Sequence, residues 1–394
     1  MKVLTLLIYA LFLVLPFGIY ALFLVLPFGQ LERLPQPYPG VNLYLHDLVI
    51  AAIVCLWSIT GLKKLKPPPL ARPLLWFTAA ALASLLPALF RHPPNQILVG
   101  SLYLVRFVFY SCLYFVFSDP ALVKNLRLKP ANLLLVFGLS LVGLGLFQYL
   151  FFPDVRFLAA SGWDDHFYRV ISSLFDPNFT GLIYLFSLIL LFFHQKKLQP
   201  LVYSSATAAV LIGLLLTYSR SSYLALLAAA AVYSIIKRKS RVFLVAASCV
   251  LLAFLLLPRP GGEGVNLLRT FSIGQRLTNY RQGLTLWRQH PVLGAGFNLV
   301  RYQPAAVTDP GKDLSHAAAG YDASLIFVLA TTGLIGLAAY LNLLVKACSL
   351  SPLAQVSLAA ALTHSLFTNS LFYPWVMIWL FCLFTFKNPL HNNL

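Results

Sequence analysis

The sequence predicts an all-α, polytopic integral membrane protein. Of its 394 residues, 59% are hydrophobic and 10% are charged, and the mean hydropathy is +0.80. A soluble globular domain carries about 25% charged residues. Apolar runs near the length of a membrane-spanning helix recur from one end of the chain to the other. We therefore expect a single transmembrane domain, residues 1–394.

The apolar runs predict about twelve transmembrane helices. They cover residues 3–28, 44–62, 70–90, 97–118, 131–152, 177–194, 200–218, 221–236, 242–257, 321–346, 353–371 and 373–387. The first run contains YALFLVLPFG twice, at 9–18 and at 20–29, which we interpret as a local duplication that lengthened it. No small-residue cleavage site follows a short apolar core, so we do not expect a cleaved signal peptide.

The basic residues predict how these helices are oriented. They cluster in short loops that alternate with the apolar runs, at 63–72, 124–129, 196–197 and 237–241. Such clusters mark cytoplasmic loops, and together with Lys2 they place both termini in the cytoplasm. The net charge of +18 is therefore interpreted as a topology signal, and no nucleic-acid partner is expected.

Two longer loops are then expected on the outer face, at 153–176 and at 258–320 between the ninth and tenth helices. With the tip of the short hairpin formed by the seventh and eighth helices, they make one outward surface. Arginine is abundant there although the topology rule disfavours it, at Arg156, Arg169, Arg220, Arg259, Arg269, Arg276, Arg281, Arg288 and Arg301. Arginine presents a planar fork of donors that suits phosphate and carboxylate. An anionic ligand on this surface is the simplest reason for the excess.

Cysteine and metal chemistry are not indicated. The cysteines lie within or at the ends of apolar runs and form no CxxC pair, at Cys55, Cys112, Cys249, Cys348 and Cys382. Disulfides and a zinc site are therefore not expected. The outer loops contain neither a metal-ligand cluster nor a phosphate-binding glycine loop, so we expect no metal and no cofactor.

Part of the long outer loop has helical periodicity, from 274 to His290. Its apolar stripe consists of Leu277, Tyr280, Leu284 and Trp287. Arg276 lies close to the line of Tyr280 and is the arginine expected to point inward, whereas Arg281 lies on the far edge of the stripe. The alternative is an interfacial amphipathic helix whose arginines contact lipid headgroups.

Two polar residues within predicted helices are further candidates. Arg106 lies several residues inside the fourth helix, where an ionisable group usually faces the bundle or an aqueous cavity; the alternative is snorkelling to the interface. Asp176 and Pro177 are ordinary chemistry for the start of a helix. Asn178 follows them and is not explained by capping.

The entry to the tenth helix carries two possible proton acceptors. His316 is a possible proton acceptor, because the ordinary pKa of histidine lies near neutral pH. Asp322 stands at the predicted helix start, where the helix dipole stabilises a carboxylate. Each also has a purely structural interpretation.

Together these segments resemble the O-antigen ligase and polymerase superfamily of bacterial membrane glycosyltransferases. TYSRSSYLALL (217–227) is similar to that family's TxSRxxxLALL. RLTNYRQGLTLWRQHPVLGAGF (276–297) is similar to its RxxxWxxAxxxxxxxPxxGxGxxxF, with Tyr280 where tryptophan is usual. DPNFTG (176–181) resembles its PN element. The motifs occur in the expected order and on the expected side of the membrane.

The resemblance implies a GT-C-like fold in the bacterial cytoplasmic membrane and a role in polysaccharide biosynthesis, such as that of lipopolysaccharide. It implies transfer of a glycan from an undecaprenyl-diphosphate donor to a glycan or lipid acceptor at the outer face, without a metal or a nucleotide sugar. Arg220 and Arg276 would then hold the diphosphate. The further substrate-binding candidates are Arg106, Asn178, Tyr280 and Arg281.

The sequence departs from the ligase pattern at the base. The position of the ligase histidine falls on Asp322, which resembles polymerase-like members more, and His316 lies six residues earlier. The base is therefore His316, Asp322 or neither. Two other functions remain open at this point, namely a polysaccharide or lipid exporter and a non-catalytic assembly scaffold. An exporter built from repeats should show related halves, which the sequence lacks.

Overall fold

The computed structural model describes residues 2–60, 66–195, 198–261, 263–268, 271–303 and 320–386. Within these ranges the chain forms helices joined by loops and 3-10 turns, and its β-structure is limited to isolated bridges. The helices are α1 (Lys2–Val25), α2 (Leu45–Thr60), α3 (Ala71–Ala88), α4 (Pro94–Ser118), α5 (Pro120–Asn125), α6 (Pro130–Phe151), α7 (Pro177–His194), α8 (Pro200–Leu216), α9 (Arg220–Lys237), α10 (Ser240–Leu256), α11 (Phe271–Gln289), α12 (Ser324–Cys348), α13 (Pro352–His364) and α14 (Pro374–Leu383).

Local chemistry explains where many of these helices begin. Proline takes the first helical position of α4, α6, α7, α8, α13 and α14, where its missing N–H costs nothing and its fixed φ suits the helix. Side chains of Asp176, Ser219 and Ser351 cap α7, α9 and α13 by accepting backbone N–H bonds. The predicted helix starts therefore lie close to the observed ones.

Six of the helical segments described here are long and apolar enough to cross a membrane. They are Val14–Glu32, Ala71–Ala88, Pro94–Ser118, Pro130–Phe151, Pro177–His194 and Ser324–Cys348. Shorter apolar helices follow the same pattern, among them Pro200–Leu216 and Ser240–Leu256. These segments support a polytopic helical membrane protein. The predicted run 353–371 differs, because α13 ends at His364 and a 3-10 turn, Ser370–Phe372, follows it.

Helix α13 lies at the centre of the bundle. It packs mainly against α9 and also contacts α7 and α12, while α12 packs along α3 and α14 along α4. Its alanines, such as Ala354 and Ala361, are fully buried and permit this close approach. Trp379 of α14 is also fully buried, between Phe137 of α6 and Phe186 of α7. His364 and Ser365 at the end of α13 are 0% and 2% exposed, so this end of the helix lies in the interior.

Three 3-10 turns meet at the end of the bundle where α13 terminates: Leu26–Glu32, Ser172–Leu174 and Ser370–Phe372. In the 3-10 turn 26–32, Gly29 has φ +58°, and a Cβ there would overlap the carbonyl group of Ser173. The Ser173 hydroxyl donates to the Pro27 carbonyl oxygen at 2.5 Å, and Gln30 donates to the Tyr373 hydroxyl at 3.2 Å. This layer of turns supports the beginning of α7 and the end of α13.

Helix α12 is interrupted at Gly333, where φ is 66° and ψ is −165°. The segment 291–296, which follows α11, is hydrogen-bonded into this kink. Ala295 N–H donates to the Ala330 carbonyl at 2.9 Å, and Leu334 N–H donates to the Pro291 carbonyl at 2.9 Å. Since both partners are backbone groups, the contact fixes the position of α11 relative to the start of α12.

Candidate functional site

The first turn of α9 is held by side chains on both sides. Tyr218 precedes it with φ +50°, and the Ser219 hydroxyl donates to Asn178 Oδ1 at 2.9 Å. Arg169, only 5% exposed, donates through Nε to the Thr217 carbonyl at 3.0 Å. These bonds fix the turn that presents Arg220, the first residue of the helix. They also account for Asn178, whose amide oxygen joins α7 to this turn.

A buried histidine lies directly beneath this turn. Ser221 Oγ is 3.1 Å from His364 Nε2, and His364 Nδ1 is 2.5 Å from Ser370 Oγ. The Ser370 hydroxyl donates to the Thr368 carbonyl at 2.9 Å, so it accepts from His364 Nδ1–H. Nε2 is then the acceptor for the Ser221 hydroxyl. His364 and Ser370 therefore position the residue next to Arg220.

Helix α11 contacts α12 through a face that contains a glycine. A Cβ at Gly283 would overlap Ile326 and approach Tyr321, and Leu286 of the same face is 6% exposed. Leu277, which periodicity places on the apolar stripe, is 49% exposed. The predicted stripe is wrong at that position because the close contact at Gly283 decides which face turns inward.

This docking brings Arg276 within electrostatic range of Arg220. Burial and the nearby Arg276 charge both lower the pKa of Arg220. The Arg276 guanidinium also lies 5.5 Å from the ring centroid of Phe367, which follows the end of α13. Two half-buried guanidinium groups from distant parts of the chain thus interact electrostatically. An anion bound between them would relieve their repulsion.

Asp322 lies on the same region, at the entry to α12. Its backbone N–H donates to Asn279 Oδ1 of α11 at 2.8 Å. Burial raises the pKa of Asp322, and the Arg276 charge opposes that rise. Burial also raises the pKa of Tyr280, and the Arg276 charge opposes that rise. We name Arg220, Arg276 and Asp322 the arginine site.

Arg106 makes its contacts elsewhere. It donates through Nε to Asp47 Oδ1 at 2.9 Å and through a second nitrogen to Asp47 Oδ2 at 2.7 Å. A further bond reaches the Asn42 carbonyl, and Tyr110 donates to Asp47 Oδ1 at 2.6 Å. Arg106 faces the bundle, where it forms an ion pair that joins α4 to α2. Its partners include no residue of the arginine site.

The remaining two candidate residues, Arg281 and His316, are not part of the arginine site as described. Arg281 is exposed, on the side of α11 away from Gly283. His316 lies outside the described residues. Among the residues that the structure describes, no group of His, Cys, Asp and Glu could hold a metal ion.

His364 is the residue that sequence reasoning missed. It belongs to THSLFTNS (363–370), a polar segment inside a predicted apolar run. Polar and ionisable residues at such depth mark functional or bundle-facing positions. That signal was available from the sequence, but its partner Ser221 is 143 residues away and became evident only from the fold.

Comparison with known proteins supports the family suggested by the motifs. Residues 205–341 match the family model described as O-antigen ligase. The match includes the start of α9, helix α11, the kink of α12 and therefore all three residues of the arginine site. No curated protein matches the chain in sequence. The matched segment, about a third of the chain, supports the O-antigen ligase and polymerase superfamily.

Proposed function

We propose that the protein transfers a glycan from a lipid-diphosphate donor, undecaprenyl diphosphate, to a glycan or lipid acceptor at the outer face of the bacterial cytoplasmic membrane. The observation that carries the proposal is the electrostatic coupling of Arg276 to both Arg220 and Asp322, which come from three separate segments of the chain. The family match adds that the chemistry concerns surface polysaccharide, by ligation or polymerisation.

The orientation is part of the proposal. Twelve spanning helices, with α5 and α11 lying outside the membrane core, would place both termini in the cytoplasm by the positive-inside rule. The start of α9, the described parts of 258–320 and the entry to α12 would then face outward. The donor diphosphate reaches that face while its prenyl chain stays in the lipid.

The two arginines would bind the diphosphate. Each guanidinium offers a fork of N–H donors to phosphate oxygens. Charge accumulates on the diphosphate as it leaves, so fixed cations placed there stabilise the transition state more than the ground state. This role needs no metal ion. A bound diphosphate would also offset the electrostatic repulsion between the two guanidinium groups.

Asp322 would act as the base. The acceptor hydroxyl oxygen forms a bond to the anomeric carbon while the bond from that carbon to the diphosphate oxygen breaks. The hydroxyl proton passes to the Asp322 carboxylate, and the lipid diphosphate leaves as an anion. A carboxylate whose pKa is raised by burial accepts a proton better than an exposed one. His316 is the competing assignment for this base.

The test is glycan transfer from a purified lipid-diphosphate donor, in detergent with EDTA, by wild type and the variants Arg220→Lys and Arg276→Lys. Lysine keeps the charge and loses the fork, so we expect both rates to fall while the variants remain folded. Arg288→Lys is the matched control, since Arg288 is exposed on α11. An unchanged rate in Arg276→Lys would remove that residue from the mechanism.

A second comparison assigns the base and tests the class of protein. Asp322→Asn should abolish transfer and His316→Gln should leave most of it if Asp322 is the base; the reverse result would assign His316. A scaffold would be supported instead if wild type transferred no glycan to any of several acceptors and cellular function survived the loss of both arginines.

A further inference from the structure

An apolar groove lies at the opposite end of α9 from the arginine site. Its volume of about 300 Å³ is within the usual range for ligand pockets. It is lined by the second half of α7, the middle turns of α8 and α9, the first half of α10 and Val356 of α13. Its α9 residues run from Leu226 to Tyr233. At about 1.5 Å rise per residue they lie roughly 9 to 20 Å along the helix from Arg220.

The wall of the groove is mainly aliphatic and aromatic; the exceptions are Thr207, Cys249 and one charged residue, Arg241. Small side chains, Ala229 and Ala230 on α9 and Ala246 on α10, leave the space, and Phe192 and Tyr233 border it. Such a shape accepts a flexible hydrocarbon chain better than a rigid polar ligand. It lies among helices that, by the proposed orientation, are in the cytoplasmic half of the membrane.

The surroundings of the groove are strongly basic. Arg241 lines it and is exposed. At the same end Lys237 closes α9, and Arg238 and Lys239 connect it to α10. The sequence contains no Asp or Glu between Asp176 and Glu263. A ligand that enters here therefore meets an apolar wall with a basic edge.

We propose that this groove binds an acyl chain of an anionic phospholipid from the cytoplasmic leaflet, with the lipid phosphate on Arg241. Arginine binds phosphate through two parallel N–H donors, and basic residues beside the anionic leaflet attract its headgroups. The bound chain would fill the gap between α8 and α10 and stabilise the hairpin whose other end carries Arg220. The inference depends on the proposed orientation of the helices and is independent of the transfer reaction.

The test is retention of defined lipids by the purified protein, measured by native mass spectrometry after incubation with mixed micelles of phosphatidylglycerol and phosphatidylethanolamine. Wild type should retain phosphatidylglycerol preferentially. Arg241→Gln should reduce that preference about fivefold, because one basic residue near an anionic lipid contributes about 1 kcal/mol. Lys239→Gln removes the same charge two residues away, outside the groove, and should keep most of the preference.

A second pair of variants tests the groove itself. Ala246→Phe fills it and should abolish retention of both lipids, whereas Ala247→Phe adds the same ring on a neighbouring position that does not line the groove. Equal preference in Arg241→Gln and Lys239→Gln would overturn the phosphate assignment even if Ala246→Phe failed to fold. Equal or preferential retention of phosphatidylethanolamine by wild type would overturn the choice of lipid.

Discussion

Replacement of Gly333 by alanine tests whether the kink of α12 builds the arginine site. Gly333 has φ +66°, a region that residues with a Cβ occupy at a cost of about 1–3 kcal/mol. The added Cβ would also overlap the Val292 carbonyl group, which belongs to the segment bonded into the kink. Overpacking of this kind costs about 1–3 kcal/mol more.

The expected loss is therefore about 2–6 kcal/mol of unfolding free energy, a large part of the total of about 5–15 kcal/mol for a typical protein. The assay is the folded fraction of purified Gly333→Ala after heating in detergent, measured by size-exclusion chromatography. Because the segment after α11 would lose its position, we also expect Arg276 to move away from Arg220 and the transfer rate of the folded fraction to fall.

Gly274→Ala is the matched control. It lies in the first turns of α11, where an added Cβ meets no atom within 4 Å, and alanine favours a helix over glycine by about 1 kcal/mol. This variant should melt at or above the wild-type temperature. Gly333→Ala that melts and reacts like wild type would refute the claim that the kink fixes the site.

Three further changes test the remaining assignments. Asp322→Asn should lower the transfer rate by at least about 100-fold. The variant should melt at or above the wild-type temperature at neutral pH, because burial raises the pKa of Asp322 and the folded state therefore loses stability as pH rises past the ordinary carboxyl pKa. The wild-type transfer rate should rise with pH through the raised pKa, which initial rates across acidic and neutral pH would show. Arg106→Gln should lower the free energy of unfolding by about 3–5 kcal/mol, because Asp47 is left buried without its ion-pair partner. Adding Asp47→Asn should restore part of that stability. An increased KM for the donor would contradict this structural role. His364→Ala should raise the KM for the donor about 2- to 10-fold, as expected for loss of one hydrogen bond that positions the first turn of α9; a normal KM with a reduced melting temperature would make its role structural only.

The repeat at the N-terminus shows how far local sequence determines local structure. The first copy of YALFLVLPFG, residues 9–18, lies within α1, whereas the second copy, 20–29, leaves the helix after Val25. Gly18 packs against Ile53, but the equivalent Gly29 turns to φ +58° against Ser173. The same ten letters therefore take two conformations because their tertiary neighbours differ.

The same limit applies to the candidate residues. Periodicity placed Arg276 on an inward face and the basic loops placed Arg220 at a hairpin tip, since both signals are local. The depth of Arg106 indicated a bundle-facing group correctly, but the choice between a ligand and an ion pair depended on Asp47, which is 59 residues away. His364 was missed because its partner comes from another helix.

The sequence by itself determined the membrane class, the positions of the apolar runs, the cap of α7 and the motifs that indicate the superfamily. These properties follow from composition, period and short-range hydrogen bonding, which neighbouring residues control. The tertiary structure decided that Arg276 comes within electrostatic range of both Arg220 and Asp322, that His364 contacts the first turn of α9 and that α12 is interrupted at Gly333. Those relations depend on side-chain packing between helices far apart in the chain, where steric fit and burial select one arrangement among many that the same local pattern permits.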